Sequence, residues 1–376
     1  MKKCFSLWTM GMLVFLLTLL LAGCAETPPP ADYSWKVVGS AGFSAGQANW
    51  TSIAMDKNGV PYVCYEDVDN GSKATVMKYN NGAWNAVGGP GFSAGQTAYP
   101  SIAIDGNGVP YVVYLDMTNG NKATVKKYVD GSWATVVGPA GFSTGKAGWT
   151  TIKINRDIIP YVLYQDWDNG SKATVMKFSG GNWMLVGSAG FSAGQANNPN
   201  IAIDNLGTPY VVYGDAGNGN KATVMKFVSG GNWSAVGGAG FTANQAFQTS
   251  ISVDKNGVPY VAFADNANSN KATVMKYDGS WKTVGSVGFS AGLANDISIA
   301  IDGKGVPYVA YVDNGSYNRI TVMKYSGGNW NTVGDAGFSV DTVEHPQIAI
   351  GSNNVPYVVY QDYGYSRKAT VMKYAP

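Results

Sequence analysis

The chain has 376 residues, with 26 Lys and Arg against 24 Asp and Glu. Without Lys2 and Lys3 at the extreme amino terminus the two counts are equal. That balance, with no basic run anywhere, excludes the electrostatic footprint of a nucleic-acid binder.

Taken from the start, Lys2 and Lys3 precede an apolar run from about Phe5 to Leu20, which is too short and too close to the terminus to read as a membrane span. The run ends in Leu21-Ala22-Gly23-Cys24, which resembles the bacterial lipobox. The resemblance implies removal of residues 1–23 as a lipoprotein signal peptide, acylation of Cys24, and a protein held on an extracytoplasmic face of the cell membrane or outer membrane. Two or three acyl chains anchor stably where a single one is marginal. Residues 24–34, with Pro28-Pro29-Pro30, then form a polar spacer. Cys4 leaves with the signal and Cys24 takes the lipid, so Cys64 is the remaining thiol and no intrachain disulfide is expected. Cys64 falls where other repeats carry Val113, Leu163 and Val212, the place of a small buried hydrophobe.

From Trp35 onward the chain repeats. Trp35, Trp84, Trp133, Trp183, Trp233, Trp281 and Trp330 recur every 48 to 50 residues, each opening a unit that runs through G-F-S-A-G-Q, S-I-A-I-D-x-x-G-V-P-Y-V-V-Y-x-D and K-A-T-V-M-K-Y. Within one unit, Ser101–Ile104, Tyr111–Tyr114, Ala123–Tyr128 and Trp133–Val137 read as strands, being β-branched and aromatic between turn signals. Asp105-Gly106-Asn107-Gly108 closes a hairpin, and Pro110 stands at a strand start, where its missing N–H matters least. Nothing in the unit reads as helical. Four-stranded units of this length predict propeller blades. The phase of the repeat predicts closure, because the chain opens on a lone Trp strand and finishes on the three strands that would precede one. Joining the two ends completes a seventh blade and removes the open edges. The fold expected for residues 35–376 is therefore all-β, a seven-bladed β-propeller of four-stranded blades. The recurring Phe (Phe43, Phe92, Phe142, Phe191, Phe241, Phe289, Phe338) and the Trp series are expected to pack between blades.

The segment Ile299–Val322, with its Asp-x-x-Gly turn, Tyr-Val strand and Asn318-Arg319-Ile320, resembles the NHL-type propeller repeat. That likeness implies the fold and no activity. Sialidases, which are also propellers, use an Asp-x-Gly-aromatic box and three converging arginines. Here the turn is Asp-x-x-Gly-x-Pro-Tyr, and Arg156 is expected on the opposite face from Arg319 and Arg367.

An aspartate ends the second strand of every unit: Asp67, Asp116, Asp166, Asp215, Asp265, Asp313 and Asp362. Its expected role is an Asx-type turn cap facing the next Lys, such as Lys73 or Lys122, in an exposed pair. Asp67–Ser72 and Asp166–Ser171 are similar to calcium loops, but the glycine comes one position early and no Glu closes them. No metal and no cofactor are expected.

The repeats disagree at two positions. Trp50, Tyr99, Trp149, Asn198, Gln248, Asp296 and His345 align just before the innermost strand. Val68, Met117, Trp167, Ala216, Asn266, Asn314 and Tyr363 align just after the ring aspartate. Both connections should emerge on one face, the uniform Asp-x-x-Gly turns on the other. Aromatic residues among polar neighbours are what binding surfaces use. The candidate ligand-binding residues are accordingly Trp50, Tyr99, Trp149, Trp167 and Tyr363 for stacking, with Glu66, Asp296 and His345 for polar selectivity. The expected function is that of a monomeric, non-enzymatic, lipid-anchored envelope protein binding a glycan, peptide or protein partner. An envelope assembly scaffold is the first alternative, and a glycosidase or lyase using Glu344-His345 the second.

Overall fold

The computed structural model describes residues 33–134, 137–228 and 230–376. The signal sequence, Cys24 and the proline-rich spacer lie outside the described residues. Among the described residues no helix is long and apolar enough to cross a membrane.

Among the described residues the chain forms seven antiparallel four-stranded sheets. In the first blade the inner strand is Ala48–Met55, the second Pro61–Asp67, the third Lys73–Asn80 and the outer Ala83–Ala86. The other blades repeat this order. The seventh takes its inner three strands from Val343–Ile350, Pro356–Asp362 and Lys368–Ala375, and its outer strand from Ser34–Val37. There Trp35 stands opposite Tyr374. Consecutive inner strands pack on one another around the axis, and the inner strand of blade 7 packs on that of blade 1. The ring is closed, with seven blades, as the phase of the repeat predicts.

The second strands are buried along nearly their whole length, Val63, Val112, Val162, Val211, Val261, Val309 and Val358 being wholly inaccessible. Such strands carry an apolar residue on both faces because each sheet is covered by a neighbour on either side. Cys64 is one of these buried side chains, and burial pushes its thiol pKa far up, so it stays protonated and unreactive. Between blades each Trp stacks on the preceding Phe: Phe43 on Trp84 at 4.1 Å, Phe142 on Trp183 at 3.9 Å, and Phe338 on Trp35 at 4.2 Å across the closure. Every indole N–H in this series donates to a valine carbonyl, as Trp84 does to Val38 at 2.7 Å. Each ring therefore combines a large apolar area with a satisfied polar tip.

At the face of the hairpin turns, Asp105 Oδ1 accepts from the backbone N–H of Asn107 and of Val109, both at 2.9 Å, and Gly108 takes φ +86°. At the opposite face a one-turn 3₁₀ helix follows each second strand, such as Val68–Asn70, where the sequence reads as an Asx-type turn with nothing helical. A residue in the left-handed region ends each one, Gly71 at φ +73° in blade 1.

Five of the seven ring aspartates cap these turns, Asp67 and Asp166 making no capping bond, and their partner is not the lysine that the sequence suggests. They are buried, and Asp215 is typical: Oδ1 accepts from the Gly217 N–H at 3.0 Å, and Oδ2 from Asn218 Nδ2 and Thr223 Oγ1, both at 2.8 Å. Thr223 Oγ1 in turn accepts from the Gly240 N–H at 2.9 Å. A threonine hydroxyl can sit beside a buried carboxylate without being desolvated as an ammonium would be. No Lys–Asp ion pair forms at this position among the described residues.

Candidate functional site

The first variable position does not precede the innermost strand; it lies inside it. The inner strand of blade 2 runs Thr97–Ile104, and its register against the second strand slips between Ala98 and Ser101. The same slip occurs in every blade, as between Asn49 and Ser52 in blade 1. It is a β-bulge, two residues opposite one. The bulged residue is left-handed in all seven blades: Trp50, Tyr99, Trp149, Asn198, Gln248, Asp296 and His345 have φ between +46° and +54°. A bulge interrupts the alternation of side chains, which is why a periodic reading starts the strand too late.

The seven bulge residues ring the mouth of an axial cavity of about 360 Å³. One arc is aromatic. His345 stacks on Trp50 at 4.3 Å, Trp50 meets Tyr99 at 4.7 Å, and Tyr99 stacks on Trp149 at 5.0 Å. The remaining arc is polar and bonded in sequence around the ring. The Asp296 N–H donates to Gln248 Oε1, and the His345 N–H to Asp296 Oδ2 at 3.1 Å. Asp296 Oδ2 also lies 3.9 Å from His345 Nδ1. Threonines one residue along tie the bulges together: Thr51 donates to the His345 carbonyl, Thr150 to that of Tyr99 and Thr249 to that of Asn198.

Below the mouth comes a polar collar from one inner-strand position: Ser52, Ser101, Thr151, Asn200, Ser250, Ser298 and Gln347. An inner strand has a free edge toward the axis, and unpaired edge groups need partners. The serines supply them. Ser52 accepts from the Ile102 N–H at 3.3 Å and Ser250 from the Ile299 N–H at 3.2 Å.

Of the eight residues singled out from sequence, five line this cavity: Trp50, Tyr99, Trp149, Asp296 and His345. Trp167, Tyr363 and Glu66 do not. Trp167 and Tyr363 open their 3₁₀ turns, and their N–H groups donate to the Lys146 and Thr342 carbonyls just ahead of the neighbouring inner strands. They therefore share the face of the bulges but stand outside the mouth. The Trp167 indole donates to Gln165 Oε1 at 2.8 Å. Arg367 lies 4.7 Å from the Tyr363 ring. Glu66 stands opposite Asn49 in the register. Burial raises its pKa, offset in part by hydrogen bonds with Ser72 and Asn49.

Sequence reading missed a second hollow of about 250 Å³ on the same side of the ring, which shares Trp149 and Asn198 with the mouth. Gln165, Gln195, Asn197, Asn220 and the half-exposed Phe247 also line it. It borders Gly214, which stands where the other blades carry Glu66, Leu115, Gln165, Ala264, Val312 and Gln361. That single side-chain deletion was the available signal.

Among the described residues no three His, Cys, Asp or Glu side chains gather to hold a metal. In blades 1 and 3, where Asp69 and Asp168 follow the ring aspartate, Oδ1 of Asp67 and of Asp166 lacks a hydrogen bond. Burial first, and then the Asp168 charge, raise the Asp166 pKa.

No family model matches the sequence, and no curated protein is similar to it in sequence. Solved structures do match. The lectin BP39L from Burkholderia pseudomallei superposes with a TM-score of 0.63 at 16% identity, covering 87% of this chain and 95% of the lectin. A polysaccharide lyase of the PL25 ulvan lyase family, solved bound to -[GlcA(1-4)Rha3S]-, gives 0.56 at 14% identity over 89% and 94% of the two chains. A mutant of the Aleuria aurantia lectin in complex with Fucalpha1-6GlcNAc gives 0.50 at 15% identity over 78% and 96%. The likeness is one of fold. The propeller's neighbours thus include both lectins and polysaccharide lyases.

Proposed function

We propose that this propeller binds a glycan at the bulge face, without turning it over. The observation that carries the reading is the conformation of the bulge residues. A non-glycine residue in the left-handed region costs about 1 kcal/mol relative to glycine. The chain contains 49 glycines, yet glycine occupies this position in none of the seven blades. Trp, Tyr, Trp, Asn, Gln, Asp and His are held there instead, each at some conformational cost, and all point to one cavity mouth. Strain at a cleft motivates a functional reading more readily than a structural one. An arc of stacked rings beside an arc of amide, carboxylate and imidazole suits a sugar, which presents an apolar ring face and a hydroxyl edge. The amide-lined hollow beside Trp149 would extend the contact to a second residue of the chain. Lectins among the fold's neighbours agree with the reading.

Screening the protein against a glycan array and titrating the best ligand tests it. Replacing Trp50 and Trp149 together by Ala is expected to weaken binding by about thirtyfold or more with the thermal midpoint little changed. An unaltered affinity would remove the mouth from the site.

A specific pair favours a second reading, turnover of the glycan. Asp296 and His345 are the acid and the base that a glycosidase or lyase would need, and lyases share the fold. Activity that disappears in His345→Ala would establish it in place of plain binding.

We further propose that Cys24 is acylated and tethers the propeller to an extracytoplasmic membrane surface. Labelling of cells with radioactive palmitate is expected to mark the protein and to be lost in Cys24→Ala; persistent label would refute the tether.

A further inference from the structure

At the inner-strand position two beyond the collar, the blades carry Ala54, Ala103, Lys153, Ala202, Ser252, Ala300 and Ala349. Lys153 is the one Lys or Arg on any of the seven inner strands. Its side chain lines the axial cavity below the aromatic mouth and is exposed to water there. It makes no ion pair among the described residues. Its place inside the ring of blades partly desolvates the ammonium and lowers its pKa.

The same cavity holds polar groups that can donate as well as accept. Thr151 stands two residues back on the same strand, Asn200 in the next blade and Gln347 across the ring. None of their side chains has a hydrogen-bond partner among the described residues, whereas the collar serines Ser52, Ser101, Ser250 and Ser298 are each occupied by a neighbour's backbone N–H. The one carboxylate lining the cavity, Asp296, is three blades away at the mouth and bonded to the His345 N–H. A lysine offers three donors and no acceptor. Without an ion-pair partner among the described residues, and sharing the cavity with an unpaired hydroxyl and two unpaired amides, it is chemically matched to an anion.

Resting on the glycan reading, we infer that the site selects an acidic saccharide, with the carboxylate or sulfate group of one sugar entering the cavity to meet Lys153, Thr151 and Asn200 while a neighbouring sugar ring stacks at Trp50, Tyr99 and Trp149. The two anion chemistries share the same donors and are separated by experiment. An array of uronate-bearing and sulfate-bearing oligosaccharides is paired with their carboxyl-reduced and desulfated counterparts. It is probed with the wild-type protein, Lys153→Met and the Trp50→Ala/Trp149→Ala double variant.

The expected result is a preference for the charged member of a pair by about tenfold or more, weakening with salt. Lys153→Met, which keeps the side chain's length, should reduce that preference to about onefold while still binding the neutral member. Whether uronate or sulfate pairs show the preference identifies the anion. Glycan binding through the tryptophans with equal affinity for charged and neutral members, or a preference that survives in Lys153→Met, would overturn this inference and leave the glycan reading standing. Absence of any saccharide that depends on Trp50 and Trp149 would overturn both.

Discussion

Two rings of seven residues stand beside each other in this propeller, and they obey opposite rules. The aspartates that end the second strands are identical in every blade, buried, and committed to the protein itself. The bulge residues at the start of the inner strands share one backbone conformation yet differ in nearly every blade, and their side chains turn to the cavity. The inner-strand residue opposite each aspartate, such as Ala48 opposite Asp67, lies only two positions before the bulge residue. Proximity to the same turn therefore does not explain the contrast. Where the side chain closes the turn, only one type serves; where the backbone alone makes the bulge, the side chain is released for another purpose.

The comparison breaks most readily at the aspartate ring. Asp215→Ala removes three hydrogen bonds to a buried carboxylate and strands Thr223 and Asn218, a loss of about 3 kcal/mol. A loss of that size is expected in the unfolding free energy measured by urea titration, with glycan affinity retained by the folded fraction. A change below about 1 kcal/mol would show that the ring is not what holds the turns. The bulge ring should behave in the reverse way. In Tyr99→Gly, relief of the left-handed strain, about 1 kcal/mol, offsets stacking worth about 0.5–1.5 kcal/mol. Stability is expected to change little while ligand affinity falls severalfold; a large loss of stability with affinity intact would place Tyr99 among the packing residues.

The fold was legible in the sequence because repetition makes each blade a copy of the evidence for every other, and because the unmatched Trp35 strand forces closure on Tyr374. The site was legible in part. Trp50, Tyr99, Trp149, Asp296 and His345 stand out as disagreements among near-copies. Trp167 and Tyr363 stand out in the same way, but only the radial position of their turns, which sequence does not carry, separates them from the mouth. The bulge left no mark because a tryptophan at φ +54° reads like any strand residue. Lys153 was visible as the lone cation in a column of alanines and serine, yet its meaning depends on that column facing the axis. The buried Asp–Thr pairing was hidden by a nearer and more obvious lysine.

The indole N–H signals of the isotopically labelled protein test the central claim most directly, because the tryptophans divide by role. Those of Trp35, Trp84, Trp133, Trp183, Trp233, Trp281 and Trp330 donate to backbone carbonyls between blades, while Trp50 and Trp149 line the mouth. On titration with a bound saccharide, the signals of Trp50 and Trp149 should shift and the seven between blades should stay in place. Stationary Trp50 and Trp149 signals, with shifts elsewhere, would contradict the account.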